Sequence, residues 1–286
     1  MGTKVEKIAI LTDSTSDLID KYKNKDHIFI LPLYVNIDGS YLKDGIEITS
    51  DEVVEFNKNN PDNLAKSSAP SPGDCAHIIE GIRAKGYKKI IIISVSSKLS
   101  TTHNVFNHVL DDDMYLLDSR SASLMESLLV NYADDLINEG LSFEEICTRL
   151  DQIRDEKAAY IWVDTLENLV KGGRISAPLG KAVKFLNIKP MLKVASEGKV
   201  DLVKLRVKED KAIDQVIKKV RSDLEGVKEY YLGLGFGGDK SLLEKIEDKA
   251  SDLIKSAKAY HKNTFGSVLR VYSGEKAFAL FYIRIK

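Results

Sequence analysis

The sequence predicts an α/β protein made of two α/β domains, the first built on a mostly parallel sheet flanked by helices and the second on a mixed sheet. Three observations lead there. The chain has 286 residues, room for about two domains at roughly 150 residues each. Through the first half, short apolar runs alternate with helical patterns, the pattern of β-α-β units. In the second half, two strand-like segments, Ser267 to Tyr272 and Phe278 to Ile283, follow one another with no helix between them. That calls for antiparallel pairing in the second sheet. The expected domains are 1–158 and 159–286, with no Pro- or Gly-rich linker at the boundary.

Each element has a local reason. Ile8 to Leu11 reads as a buried strand, and Ser14 to Ser16 offers N-caps for a helix after it. A second strand is expected around Ile28 to Leu33. Asp38-Gly39 lies between Tyr34–Ile37 and Tyr41-Leu42 and signals a hairpin. Thr49 with Glu52, and Ser71 with Asp74, form capping boxes; Pro72 at the first helical position strengthens the second. Those helices are expected to end before Pro61 and near Lys85. Lys89 to Val95 is the clearest buried strand. A helix over Leu99 to Leu110, a strand at Met114 to Leu117, and helices over Ser121 to Asn138 and Phe143 to Asp155 follow, the last two parted by Gly140.

The second half opens on a strand at Tyr160 to Val163. Helices are expected near Leu166 to Lys171, Ala177 to Phe185, Lys211 to Leu224 and Leu242 to Lys258. Strands are expected near Pro190 to Val194, Val200 to Leu205 and Tyr230 to Leu234, besides the two named above, with Glu197-Gly198 as a hairpin turn.

Composition narrows the function. A net charge of -1 and a pI near 6.5 argue against the basic field that nucleic-acid binding needs. Cys75 and Cys147 stand far apart and make neither a metal spacing nor a disulfide framework, which suits buried thiols in a reducing compartment. Met1 to Lys7 is polar and does not read as a signal peptide, so a cytoplasmic location is expected. The longest apolar run, Ile90 to Ile93 with Val95, is too short to span a bilayer. Contact with lipid would come through a bound lipid molecule or a transient meeting with a membrane surface.

Three strands of the first half end in the same chemistry. The first runs into Thr12-Asp13-Ser14-Thr15, the central one into Ser94, Ser96 and Ser97 with Ser100 just beyond, and the next into Asp118-Ser119. In a parallel sheet these carboxyl ends share one rim, where ligands bind, and the helices they open favour an anion. Asp13, Ser14, Ser96 and Ser97 are therefore rim candidates, although the same residues would serve equally as plain N-caps. Ser67-Ser68-Ala69-Pro70-Ser71 is a further hydroxyl-rich turn, readable as capping alone. In Lys171-Gly172-Gly173-Arg174 a sharp glycine turn presents an arginine, whose fork matches a carboxylate or phosphate; a helix C-cap with a solvent-facing arginine fits as well. Arg206 closes a strand-like segment and could join it.

Catalytic patterns are weak. There is no Gly-x-Ser-x-Gly elbow, and His27, His77, His103, His108 and His261 form no metal-ligand spacing. Gly233, Gly235, Gly237 and Gly238 do not fit the dinucleotide pattern Gly-x-Gly-x-x-Gly and read as a turn at a strand end. Asp111-Asp112-Asp113 reads as a solvated turn.

Together these segments resemble the DegV family, fatty-acid-binding proteins that act as carrier subunits of bacterial fatty acid kinase. The resemblance is collinear over essentially the whole chain. Leu11-Thr12-Asp13-Ser14-Thr15-Ser16-Asp17-Leu18 looks like the family's opening, followed by Leu31-Pro32-Leu33 and Asp44-Gly45. Ser67 to Ser71 is similar to its Thr-Ser-Gln-Pro-Ser loop, and Ser96 to Thr102 to its Ser-Ser-x-Leu-Ser-Gly-Thr. Lys171 to Ser176 matches unchanged, and Ile188-Lys189-Pro190 follows in place.

The resemblance implies two α/β domains with an acyl chain buried between their elements. It implies a long-chain fatty acid whose carboxylate is held by Ser67, Ser100 and Tyr272, with Arg174 at the head-group opening and Arg206 toward a partner kinase. That kinase would phosphorylate the bound carboxylate with ATP, so the chain itself is expected to be a carrier and not an enzyme, with the fatty acid as ligand and neither cofactor nor metal. Serine replaces the family's threonine at Ser67, Thr101 replaces a glycine, Lys276 replaces another, and Tyr272 stands where the family has a histidine. A phenol donates to a carboxylate but carries no positive charge as histidine can. The alternatives left by the residues alone are a phosphotransferase or hydrolase acting at the Asp13, Ser14, Ser100 and Arg174 rim, and a ligand-free partner-binding relative.

Overall fold

In the computed structural model, residues 6–175 and 189–285 are described. The first half supplies strands β1 Ile8–Asp13, β2 Ile28–Leu31, β3 Tyr34–Ile37, β4 Ser40–Lys43, β5 Lys66–Ser68, β6 Lys89–Ser94 and β7 Met114–Asp118. Its helices are α1 Asp20–Lys23, α2 Ser50–Asn59, α3 Pro72–Ala84, α4 Thr102–Asn107, α5 Leu124–Asn138 and α6 Phe143–Ile153. The second half supplies β8 Lys157–Val163, β9 Met191–Val194, β10 Val200–Lys204, β11 Tyr230–Phe236, β12 Ala259–Thr264 and β13 Ala277–Arg284. Its helices are α7 Glu167–Lys171, α8 Glu209–Asp223, α9 Lys240–Lys249, α10 Ser251–Ser256 and α11 Ser267–Ser273.

Strands β2-β1-β6-β7 form a fully parallel sheet in that order. Strands β10-β9-β8-β13-β11-β12 form the second sheet, antiparallel throughout except for the parallel pair β11 and β12. A small antiparallel sheet, β4-β3-β5, lies apart from both. The fold class is therefore the one the sequence predicts.

Helix α5 explains how the two large sheets come together. Its residues from Leu124 to Asp134 are buried without a break, the polar Glu126, Ser127, Asn131 and Asp134 included, so the helix is enclosed on every side. One core holds α5 and α6 with the inner faces of both sheets: Ile10, Ile91 and Ile93 from the first, Ala159, Ala279 and Phe281 from the second. A separate core packs α3 and α4 on the outer face of the parallel sheet, and another packs α8, α9 and α10 on the outer face of the mixed sheet.

Both capping boxes form, with the Thr49 and Ser71 amides donating to Glu52 and Asp74 at 2.8 Å each. Asp38 (φ 50°) and Gly39 (φ 89°) make the expected hairpin turn between β3 and β4. Several expectations need correction. The cap after β1 is Asp13, which accepts from the Thr15 amide and starts a single 3-10 turn at Ser14–Ser16. The helix expected from Leu99 to Leu110 is only Thr102–Asn107. The one expected over Leu242 to Lys258 breaks into α9 and α10, and β12 follows where no strand was expected.

The largest correction is Ser267 to Tyr272, which is helix α11 and not a strand. The second sheet is still mixed, but because β11 runs parallel to β12 and not because two strands adjoin. The helix expected at Ala177 to Phe185 lies outside the described residues.

Candidate functional site

Where the rim of the parallel sheet faces the inner side of the mixed sheet, the packing leaves an apolar cavity. Its rim side is formed by Thr15, Val95, Leu99, Ser100 and Ser123, and its sheet side by Ile161, Val163, Leu192, Ala279 and Phe281. Helix α11 runs along it. Val268, Leu269, Tyr272 and Ser273 line the cavity and share one face of the helix (0, 1, 4, 5), and Phe265, just ahead of the N-cap Gly266, lines it as well.

The helix is placed by two buried acids from the first half. Asp17 accepts from the Gly266 amide at 2.8 Å, and Asp44 from the Ser267 amide at 2.9 Å. Gly266 is what lets them in, because a Cβ there would lie 2.8 Å from the Asp17 carboxylate. Negative charge at a helix N-terminus is favourable. Burial nevertheless dominates: it pushes Asp17 up to about 8, against the hydrogen bonds from Ser123 and Gly266, and raises Asp44 as well.

Polar groups collect at one end of the cavity. The Tyr272 hydroxyl meets the Ser67 hydroxyl in a short hydrogen bond. The Arg174 guanidinium lies over the Tyr272 ring, 5.2 Å from its centre. Arg174 also donates to the Leu99 carbonyl at 3.1 Å and the Gly172 carbonyl at 2.6 Å. Ser100 accepts from the Thr102 amide at 3.2 Å and shares a hydrogen bond with the Thr102 hydroxyl. Thr101 takes a helical backbone and turns to solvent, so its side chain does not crowd Ser100. Ser67, Ser100, Tyr272 and Arg174 thus all line one cavity, although they come from four separate stretches of chain.

The other rim candidates are elsewhere. Asp13 is fully buried; its oxygens accept from Thr15 and from the Val95 amide at 2.8 Å, which ties the end of β1 to the end of β6. Burial outweighs those bonds and raises it to about 6. Its neighbour Glu126, which accepts from Thr12 at 2.7 Å, is raised well above the carboxylate range by burial and by Asp13. Ser14 accepts from the Leu33 amide. Ser96 donates to the Gly198 carbonyl at 2.9 Å, and the Ser97 amide donates to Asp118. None of Asp13, Ser14, Ser96 or Ser97 lines the cavity; Thr15 and Ser123 do. Arg206 is exposed, with φ 53°, on the segment after β10 and away from the cavity lining.

Thr15, part of the predicted rim, lines the cavity, whereas Ser123 escaped the sequence reading because its hydroxyl donates to Asp17, 106 positions away, a contact that only the folded chain creates. The glycine run also has its explanation. Gly233 and Gly235 are strand residues beneath Leu124 and Phe265, and a Cβ at Gly235 would sit 2.4 Å from the Phe265 ring. Among the described residues no cluster of His, Cys, Asp and Glu could hold a metal ion, and no helix is long and apolar enough to cross a membrane.

Comparisons with known proteins bear on the family and the fold. The model of the DegV family, described as uncharacterised protein, matches residues 7–284. A DegV domain-containing protein of Clostridium acetobutylicum is 31% identical over 254 residues, covering 87% of this chain and 89% of that one. A fatty-acid-binding DegV family protein from Thermus thermophilus superposes with a TM-score of 0.88 at 27% identity, over 98% of this chain and 100% of that one. The fatty acid kinase (Fak) B3 protein of Streptococcus pneumoniae, solved loaded with linoleic acid, shares the fold with a TM-score of 0.83 at 20% identity, over 98% of this chain and 100% of that one.

Proposed function

Because the chain belongs to the DegV family, we propose that it is a carrier that holds one long-chain fatty acid and presents its carboxylate to a partner kinase for acyl-phosphate formation. The observation that carries this reading is the cavity: a largely apolar lining in which Ser67, Tyr272 and Arg174 touch one another and Ser100 follows Leu99, whose carbonyl Arg174 binds. The likeness to a fatty-acid-binding protein from Thermus thermophilus supports it.

The energetics divide between tail and head. Burying each methylene contributes about 0.8 kcal/mol, so the acyl chain supplies most of the affinity. Each head-group hydrogen bond adds about 1 kcal/mol net and selects a carboxylate over an ester or alcohol. In this chain the donors are neutral hydroxyls, and Arg174 is the cation beside them. The partner kinase contributes ATP and the phosphoryl transfer; the carrier contributes a desolvated, oriented carboxylate. Arg206, exposed beyond the cavity, is assigned to the surface that meets the kinase. The protein works in the cytoplasm and touches a membrane surface only to exchange its ligand.

The test is native mass spectrometry of the purified protein, followed by organic extraction. A mass excess that releases a long-chain acid supports the proposal. A protein that stays empty after incubation with palmitate and oleate refutes it.

A further inference from the structure

We propose that Phe265 is the stop at the far end of the acyl cavity and sets the longest chain that the protein accepts. The inference rests on the fatty-acid reading but adds a residue that nothing in the head-group argument involves. Helix α11 acts as a ruler along the cavity. Tyr272 lies at the polar end, Leu269 and Val268 line the cavity toward the helix N-terminus, and Phe265 stands just ahead of the N-cap Gly266.

Beyond Phe265 the surroundings change. A second, polar pocket opens there, bounded by Asp51, Gly237, Asp239, Arg270 and Lys276. Among the described residues, Phe265 is the one that lines both spaces. A methyl terminus that passed the ring would leave apolar walls for charged ones and lose the gain from burial.

The ring is held in place from beneath. Phe265 is 5% exposed, its amide donates to the Phe236 carbonyl at 2.9 Å, and its ring rests where Gly235 has no side chain. A stop must not yield to the chain that presses on it, and this packing supplies that stiffness.

The experiment compares wild type, Phe265→Ala and Phe265→Leu after incubation with an equimolar mixture of straight-chain saturated acids graded in length. The bound acids are extracted and identified by mass spectrometry. Removing the ring should move the upper length limit of retained acids up by about two carbons or more, and leucine should move it less. Phe265→Leu keeps an apolar side chain over Gly235 and carries the same test if the alanine variant does not fold. An unchanged length profile in the variants, with acid still bound, overturns the stop and leaves the carrier reading intact. Absence of any retained acid in wild type overturns both.

Discussion

The Tyr272 hydroxyl is hydrogen-bonded to the Ser67 hydroxyl, which joins the last helix of the chain to strand β5 across 205 positions of sequence. Two hydroxyls that share one hydrogen bond keep one proton to donate elsewhere, so the pair offers a single directed donor to a carboxylate. Tyr272→Phe and Ser67→Ala should each weaken fatty-acid binding about fivefold to tenfold, the equivalent of about 1 kcal/mol. The double variant should lose less than the sum, because each substitution already breaks the shared bond. Displacement of a fluorescent fatty acid measures all three.

Gly172 sets the position of the same phenol. A Cβ at residue 172 would lie 2.5 Å from Cε1 of Tyr272 and 2.7 Å from Cδ1, inside any permitted contact. Gly172→Ala must therefore push the ring off Ser67 or shift the turn. The expected cost is about 1–3 kcal/mol of stability, seen in chemical denaturation, together with weaker binding. An alanine variant with unchanged stability and unchanged affinity would show that the ring is not fixed by this contact.

Arg174 joins the two loops of the head-group end, through the Leu99 carbonyl on one side and the Gly172 carbonyl on the other. A lysine keeps the charge but loses the planar fork that reaches both. Arg174→Lys should raise amide hydrogen exchange in the segment around Ser100 and Thr102 while leaving exchange in β1 and β6 unchanged. Uniform exchange across the chain would count against a local clamp.

Much of this architecture is written in local pattern. Four consecutive isoleucines, Ile90 to Ile93, announce a strand buried on both faces, and Thr49 with Glu52 or Ser71 with Asp74 announce helix starts with their own side chains. The failures share a physical cause. Val268, Val271 and Tyr272 favour strands by propensity, yet the segment is helical because Asp17 and Asp44 hold its N-terminus and its apolar face meets the cavity. Strand β12 carries Tyr260, Lys262 and Asn263 and looks polar because it is the edge of its sheet. Ser67 and Ser100 could be picked out as hydroxyls in turns. That both line the cavity with Tyr272, and that Asp13 does not, depends on how the parallel sheet meets the mixed one, which no local pattern encodes.

The buried acids predict how stability responds to pH. Asp17 has its carboxyl raised to about 8 in the folded chain, chiefly by burial, against about 3.9 for an unfolded aspartate. Between those values the folded state holds a proton that the unfolded chain has released. Stability contributed by this group therefore falls as pH rises from about 4 to about 8. Asp13, raised to about 6, and Glu126 act in the same direction, while buried His261, lowered to about 4, opposes them up to about pH 6.5; above that pH the wild-type melting temperature should decline. Asn at position 17 cannot ionise, tolerates the left-handed backbone at φ 47°, and still accepts from the Gly266 amide through its side-chain oxygen. Asp17→Asn should thus flatten the decline without abolishing it, and its advantage over wild type should grow toward pH 8. Thermal melts at about pH 5 and about pH 8 decide the matter: parallel shifts of both proteins would mean that Asp17 keeps the same charge in the folded and unfolded states.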